Sequence, residues 1–469
     1  MDDHENTLLF FEDYYLNRRE NLSRHLGQPQ LAPEATIENP SMSLSFAYPS
    51  VFRLEDGSSI CLHQAYGKDE RWYALLRESN DGIYWDIPNL TSRIKLKDRV
   101  YPNQILPSEK DGEWGIWFKD ERASDHAPRF RGFFVWHIGP NQLETRLLAS
   151  SDGRVWRAAE GIEWQAQPLA PDPPASAFWN PVRDCYVLTV RPMNSDRRIA
   201  VVETKDWKHF SDPELALEPD ALDSPCAQLY GMPVIPYGGV FVGLLWLFHP
   251  SPDERGDHKY LNGKVDCQLT FSRNGWHFQR TLRESFIANS SPGEYGAGCI
   301  YPSSIVVDRD DGIRIYSSAS KVEHGILTHG AGAILLHTLR LDGFVYLQSQ
   351  GGAGRLGTRP LYWQSGEARI NIQAPDGQAR VQVTDKDGQA LPGYTFDDCN
   401  LFSGDDRFWI PRWKDGKNLS ALAGKAIRLE IEMLNGRIYA IRGDFIPMVA
   451  LQVKRFEQDG QAPAFRPGF

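Results

Sequence analysis

Short apolar runs return along the chain as far as about residue 340, and polar turns separate them. They fall into groups of three. The first group is Tyr48–Phe52, Ile60–Ala65 and Trp72–Arg77; the second is Trp114–Lys119, Phe130–His137 and Thr145–Ala149. Ala177–Trp179, Tyr186–Arg191 and Ile199–Glu203 form the third, and Leu229–Ile235, Val240–Phe248 and Val265–Phe271 the fourth. Tyr301–Val307, Ile313–Ser318 and Ala333–Leu339 complete a fifth. Four turns echo one another: Ser79-Asn80-Asp81-Gly82 running to Trp85, Ser151-Asp152-Gly153 to Trp156, Thr204-Lys205-Asp206-Trp207 to Phe210, and Ser272-Arg273-Asn274-Gly275 to Phe278. Their intervals of roughly 50 to 70 residues suit one four-stranded blade plus a variable loop. Asp-Gly and Asn-Gly supply the positive backbone angles of a tight turn, and the aromatic that follows is placed to pack between neighbouring sheets. The pattern predicts an all-β chain whose residues 1–340 form a five-bladed β-propeller. Leu8-Leu9-Phe10-Phe11 and the polar stretch after it, over residues 7–30, are expected to supply a closing strand and a short helix.

From Leu341 the texture changes. Arg369–Gln373, Ala379–Thr384 and Ile427–Glu432 alternate in strand fashion between Asp376-Gly377, Asp387-Gly388 and Asp415-Gly416. Residues 341–469 are therefore expected to form a jelly-roll-like β-sandwich.

Composition narrows the class. The 469 residues are 41% hydrophobic and 24% charged, enough for a substantial core. The 40 Gly and 31 Pro suit a chain rich in turns. A net charge of −10, without a dense Lys/Arg tract, argues against nucleic acid and anionic membrane as partners. No apolar span approaches membrane length, and Met1-Asp2-Asp3-His4-Glu5 lacks a signal core, so a cytoplasmic location is expected. The six cysteines (Cys61, Cys185, Cys226, Cys267, Cys299, Cys399) are scattered without metal spacing and read as reduced core residues. No cofactor is implied, although scattered acids and histidines leave a channel-bound divalent cation open. Homo-oligomerisation is likewise open.

A five-bladed propeller with Ser-x-Asp-Gly-x-x-Trp turns, followed by a β-sandwich, resembles the furanosidase-type glycoside hydrolases of families 43 and 32. The resemblance implies three carboxylates at the axial end of successive blades and carbohydrate as substrate. The chain departs from that pattern where an Asp-Pro would open blade one, since Tyr48-Pro49 stands there. Phe118-Lys119-Asp120 is similar to the Arg-Asp-Pro element of invertases, with Glu121 in place of proline, and blade three offers Asn180-Pro181.

Glycoside hydrolysis needs one protonated carboxyl and one ionised carboxylate. Asp120 ends an apolar inner strand. Asp223 precedes Ser224-Pro225-Cys226 at the approach to blade four. Asp266 stands inside the apolar strand Val265–Leu269, where an unpaired charge would be costly, and Glu294 lies in the Gly-rich Pro292–Gly298 loop. These four are the catalytic candidates, each with a plainer role as a turn, loop or salt-bridge acid. Tyr48, Trp117, Tyr230 and Trp246 are candidate subsite walls. Arg191 and Arg197, in the cluster with Asp196 and Arg198, could grip an acidic sugar or tie neighbouring blades together. His249 and His324, at strand ends, are candidate ligand contacts or proton shuttles. No HExxH, GxSxG or P-loop pattern is present.

The leading expectation is a glycoside hydrolase acting exo on a furanosidic or modified sugar of an oligosaccharide. Two others stand beside it. One is a non-catalytic carbohydrate-binding propeller, supported by the missing Asp-Pro motifs. The other is a polysaccharide lyase, in which a Tyr/His pair removes a proton and arginine neutralises a uronate.

Overall fold

The computed structural model describes residues 6–110, 112–124, 127–139, 142–159, 169–170, 176–192, 197–251 and 262–463. The chain divides into two compact units, one of Pro29–Pro236 and Phe241–Leu339, the other of Met1–Gln28, Tyr237–Val240 and Arg340–Phe469.

The larger unit is the five-bladed propeller. Each blade is an antiparallel sheet that starts with its innermost strand. Blade one pairs Ser50–Arg53, Ser59–Gly67 and Trp72–Ser79. Blade two runs Gly112–Lys119, Phe130–Gly139, Gln142–Ser150 and Arg157–Ala158. Blade three runs Ala177–Asn180, Cys185–Pro192, Ile199–Thr204 and Glu214–Leu217. In blade four the inner strand is split into Gln228–Gly231 and Val234–Tyr237, followed by Val240–Pro250, Gly263–Ser272 and Gln279–Ile287. Blade five comprises Cys299–Asp308, Gly312–Ser320 and Gly332–Leu339. The inner strand of blade one is broken too, with Met42–Ser43 pairing on Ser59–Gly67 ahead of Ser50–Arg53. The chain between the two pieces carries Phe46 and Tyr48 to one end of the channel.

The four echoing turns share one hydrogen-bond scheme. Asp81 Oδ1 accepts the N–H groups of Ile83 and Tyr84, and Asp152 Oδ1 those of Arg154 and Val155. Asp206 Oδ1 accepts from Lys208 and His209, and Asn274 Oδ1 from Trp276 and His277. A short oxygen-bearing side chain thus supplies the acceptor each turn needs. Gly82, Gly153 and Gly275 take the left-handed position at φ 72°, 70° and 67°. In the third turn Trp207 holds that position at φ 60°. The backbone cost is offset by its ring, which is buried against Phe118 and Tyr186.

The closing strand differs from the expectation. Asn6–Leu9, Leu16–Glu20 and Leu22–Leu26 pair with Arg437–Pro447, Gly354–Thr358 and Val345–Ser349, so the N-terminal segment belongs to the smaller unit and contains no helix. Gln30–Leu31 and Ile37–Glu38 close the ring instead, on the outer edge of blade five. Residues 1–28 thus leave the propeller assigned to 1–340 and join 341–469.

In the smaller unit, strand Leu361–Asp385 is so long and bent that both its ends pair with Ile427, and the sheet closes on itself. Its core packs Trp363, Trp413, Phe445 and the alternating Ile427, Leu429 and Ile431. Ala450–Asp459 is a terminal helix. Among the described residues, no helix is long and apolar enough to cross a membrane. The six cysteines form no disulfide; four are buried, Cys399 is half-buried, and Cys226 is exposed, against the reading of it as core.

Candidate active site at one end of the propeller channel

The inner strands run side by side, so the channel has an entrance at their N-terminal ends and another at their C-terminal ends. The C-terminal half holds a cavity of about 350 Å3, lined from all five blades by segments that include Ser50–Arg53, Trp117–Lys119 and Ser303–Val307. The N-terminal end is built differently. There Tyr48, Trp246 and Tyr301 from blades one, four and five meet as a buried aromatic floor. Tyr48 stacks on Trp246 at 5.3 Å and 8°, and Tyr301 stands edge-on to both. Tyr48 holds a φ of 41°, a strained value for a bulky residue that the stacking keeps in place. Burial pushes the Tyr301 hydroxyl well above the usual tyrosine range. It is no base at neutral pH.

A buried Tyr/His pair packs against this floor. His324 Nε2 and the Tyr230 hydroxyl are hydrogen-bonded at 3.0 Å, and Phe46 and Phe248 close in on the imidazole at 5.5 and 5.1 Å between ring centres. The backbone N–H of His324 donates to the Gly263 carbonyl, which fixes the loop that carries it. Gly298 lets that loop approach, since a Cβ there would lie 1.9 Å from the Val322 carbonyl oxygen. Gly298→Ala is therefore expected to destabilise the protein by about 1–3 kcal/mol and to displace His324. Thermal unfolding together with the His324 ring resonances checks both effects.

Asp266 pairs in register with Leu247, on the face of blade four that packs toward blade three, where it accepts from Ser285 Oγ and meets His249 Nε2 at 3.1 Å. The hydrogen bond to Asp266 raises the pKa of His249 against the opposing effect of burial, and the charges of Asp266 and Asp223 add to the rise. Because the folded value lies above the unfolded one, the linked stabilisation is full below the ordinary histidine pKa and is lost as pH rises through the folded value. In an NMR titration of His249, Asp266→Asn is expected to lower the midpoint. An unchanged midpoint would remove Asp266 as the cause.

The sequence-derived candidates separate on this geometry. Asp266 and Glu294 lie at the N-terminal end. Glu294 is exposed on a loop whose Asn289 Nδ2 donates to the Val265 carbonyl, beside Asp266. Asp120 follows the C-terminal end of its inner strand, where Tyr186 donates to it at 2.7 Å and the Arg122 N–H at 3.0 Å. It ties blade two to blade three at the far end of the channel, away from Asp266. Asp223 is held by Arg280 and Arg283 of the outermost strand of blade four, and it lies near enough to His249 for its charge to act on that histidine. Those guanidinium groups hold its carboxyl below the usual range against the effect of burial.

Trp117 packs on Gly132 and Trp156 in the core between blades one and two, and it belongs to the lining of the cavity at the opposite end of the channel. Trp246 and Tyr48 lie beneath the surface as floor. Tyr230, His324, His249, Arg191 and Arg197 gather at the same end. Among the described residues, no group of three or more His, Cys, Asp or Glu side chains is placed to hold a metal ion.

Phe46, Phe248, Tyr301 and Ser285 complete the site and were not singled out from sequence. Phe46 lies between strands Met42–Ser43 and Ser50–Arg53, where no strand alternation marks it. Ser285 had no signal either.

No family model matches the sequence, and no curated protein matches it. Solved structures share the outline of the fold at low identity. The chain is similar to an N-acetylgalactosamine deacetylase from F. plautii, solved with blood group B trisaccharide, at 14% identity and a TM-score of 0.45 over 69% of this chain and 98% of that one. A thermostable family-43 glycoside hydrolase is similar at 13% identity and 0.43, over 66% and 95%. The family-32 β-fructofuranosidase BmSUC1 of Bombyx mori is similar at 11% and 0.43, over 88% and 95%. At such identities no residue role carries across.

Proposed function

We propose that the chain is a glycoside hydrolase whose active site is the N-terminal mouth of the propeller channel. What supports this reading is that Asp266 and Glu294, two of the four candidate carboxylates, both lie on segments at the N-terminal end of blades four and five, where Asn289 of the Glu294 loop donates to the Val265 carbonyl. Asp266 has both oxygens engaged, by His249 and Ser285, so it is oriented to act as base or nucleophile. Glu294, on a loop with glycines at φ 92° and 93° and accepting the Ser291 N–H at 3.3 Å, is assigned the role of the protonated carboxyl. The aromatic floor supports an exo mode of attack, since on the side of blades one, four and five a chain end could enter and go no further. A furanosidic or otherwise modified terminal sugar is the substrate class assigned to it, and a cytoplasmic setting would suit a short imported oligosaccharide.

The hydrogen-bonded Tyr230 and His324 favour a second reading, a lyase that removes a proton beside a uronate. A panel of furanosides and acidic oligosaccharides, followed by reducing-end release and ultraviolet absorbance together, separates the two. The hydrolase predicts reducing ends without absorbance. An absorbing, unsaturated product would transfer the case to the lyase. Silence across the panel would count against both and favour a binding propeller.

A further inference from the structure

The smaller unit carries a charged hollow of its own. Its helix Ala450–Asp459 is seated by Phe456, whose ring meets Tyr362 edge-on at 5.2 Å between centres. Two faces of the helix line cavities. One, of about 620 Å3, has Tyr14, Arg359, Met448, Val449, Leu451 and Arg455 in its walls. The other, of about 480 Å3, shares Arg359, Met448 and Val449 and adds Lys386, Arg428 and Lys454. The walls of the larger cavity are mainly apolar. Met448 is buried in them, while Val449 and Leu451 stay 44% and 57% exposed.

The charges around the helix do not balance. Arg359, Lys386, Arg428, Lys454 and Arg455 line the two cavities against two carboxylates, Asp387 and Glu457. Lys386 takes both of these, at 2.7 and 2.8 Å. Among the described residues, the other four cationic side chains make no ion pair and no hydrogen bond. Arg428 Nε is enclosed without a partner. The Arg359 guanidinium lies over the Tyr14 ring, 4.2 Å from its centre, which sets its direction without supplying negative charge. Four unpaired cations thus gather about concave walls in a chain whose net charge is −10. Low-dielectric walls concentrate such a field on whatever enters. A planar guanidinium matches a carboxylate, and the apolar walls match a hydrocarbon or aromatic body. We infer that the larger cavity binds a small organic acid with an apolar body, its carboxylate met by Arg359 and Arg455 and its body against Met448, Val449 and Leu451. The site belongs to the smaller unit and stands apart from the hydrolase reading of the propeller.

Calorimetry on the full chain at low salt tests it. Octanoate and 4-phenylbutyrate are each set against the matching alcohol, and acetate serves as the anion without a body. The expected result is at least one of the two acids bound tenfold or more tighter than both its alcohol and acetate, with the gap to the alcohol narrowing as salt rises. Arg359→Gln and Arg455→Gln are each expected to weaken that acid at least threefold and to leave the alcohol unchanged. Arg455 is exposed, so its replacement removes the charge and spares the fold. Acid and alcohol bound alike would overturn the anionic half of the inference, and acetate bound as tightly as the larger acids would overturn the apolar half. Affinity for the acid unchanged in both variants would place it elsewhere and overturn the site, as would no binding of any probe. Binding only by a chain shortened to Pro463 would overturn it too, by giving the cavity to residues 464–469.

Discussion

Arg442→Met is expected to destabilise the smaller unit by about 3–5 kcal/mol, the usual cost of stranding one member of a buried ion pair. Asp342 is fully buried, and Arg442 meets both its oxygens through two guanidinium nitrogens. The Tyr237 hydroxyl and Asn371 Nδ2 also donate to it, at 2.6 and 2.9 Å. Removing the guanidinium leaves a carboxylate in the interior with only two neutral donors. Taking both charges away should cost much less, because two apolar side chains of similar volume avoid the desolvation of either ion. Urea unfolding of the full chain, followed through the tryptophans of the smaller unit, should therefore show Arg442→Met well below wild type. The Asp342→Leu/Arg442→Met double variant should be closer to wild type than the single one. A double variant as unstable as the single would show that the loss comes from packing and not from the stranded charge.

Asp266→Asn is expected to lower kcat/KM by roughly 10²–10⁴-fold on any substrate found by the product assay, the range for loss of a positioned acid–base group. The protein should stay folded, since asparagine keeps an oxygen for the Ser285 hydroxyl or for His249. Asp120→Asn makes the contrast. Its partners Tyr186 and Arg122 lie at the far end of the channel, so turnover should persist while the melting temperature falls. Both variants are assayed beside wild type for rate and for unfolding. Equal rate losses in the two would show that the assignment of ends is wrong.

Much of the propeller was legible because its local chemistry is explicit. Asp81, Asp152, Asp206 and Asn274 each carry the acceptor that defines the turn, so four short segments announce four blades. The fate of residues 6–26 was not legible. Leu8 pairs with Ile441, and nothing local in an apolar stretch names a partner so distant in the chain.

The same reason divided the candidate carboxylates. Asp120 and Asp223 sit in stretches that look as exposed and as strand-terminal as a catalytic acid would. What engages them is Tyr186 on the next blade and Arg280 on an outer strand, which only the assembled sheets bring near. Alternation says which face of a strand Trp117 and Trp246 occupy, but not that one face meets the core between blades one and two and the other the floor of the mouth. The Tyr48-Pro49 departure was visible. Its consequence, a stacked tyrosine where an acid was expected, needed the ring of Trp246 at 5.3 Å.

We propose that carbohydrate is handled at the N-terminal mouth of the channel. A crystal structure of the Asp266→Asn variant soaked with the oligosaccharide that wild type cleaves tests it most directly. A sugar ring in contact with Tyr230 and His324, at the end of the channel that carries Glu294, is the expected result. A sugar seated instead in the cavity at the opposite end, among Arg53, Lys119 and Ser303, would contradict it.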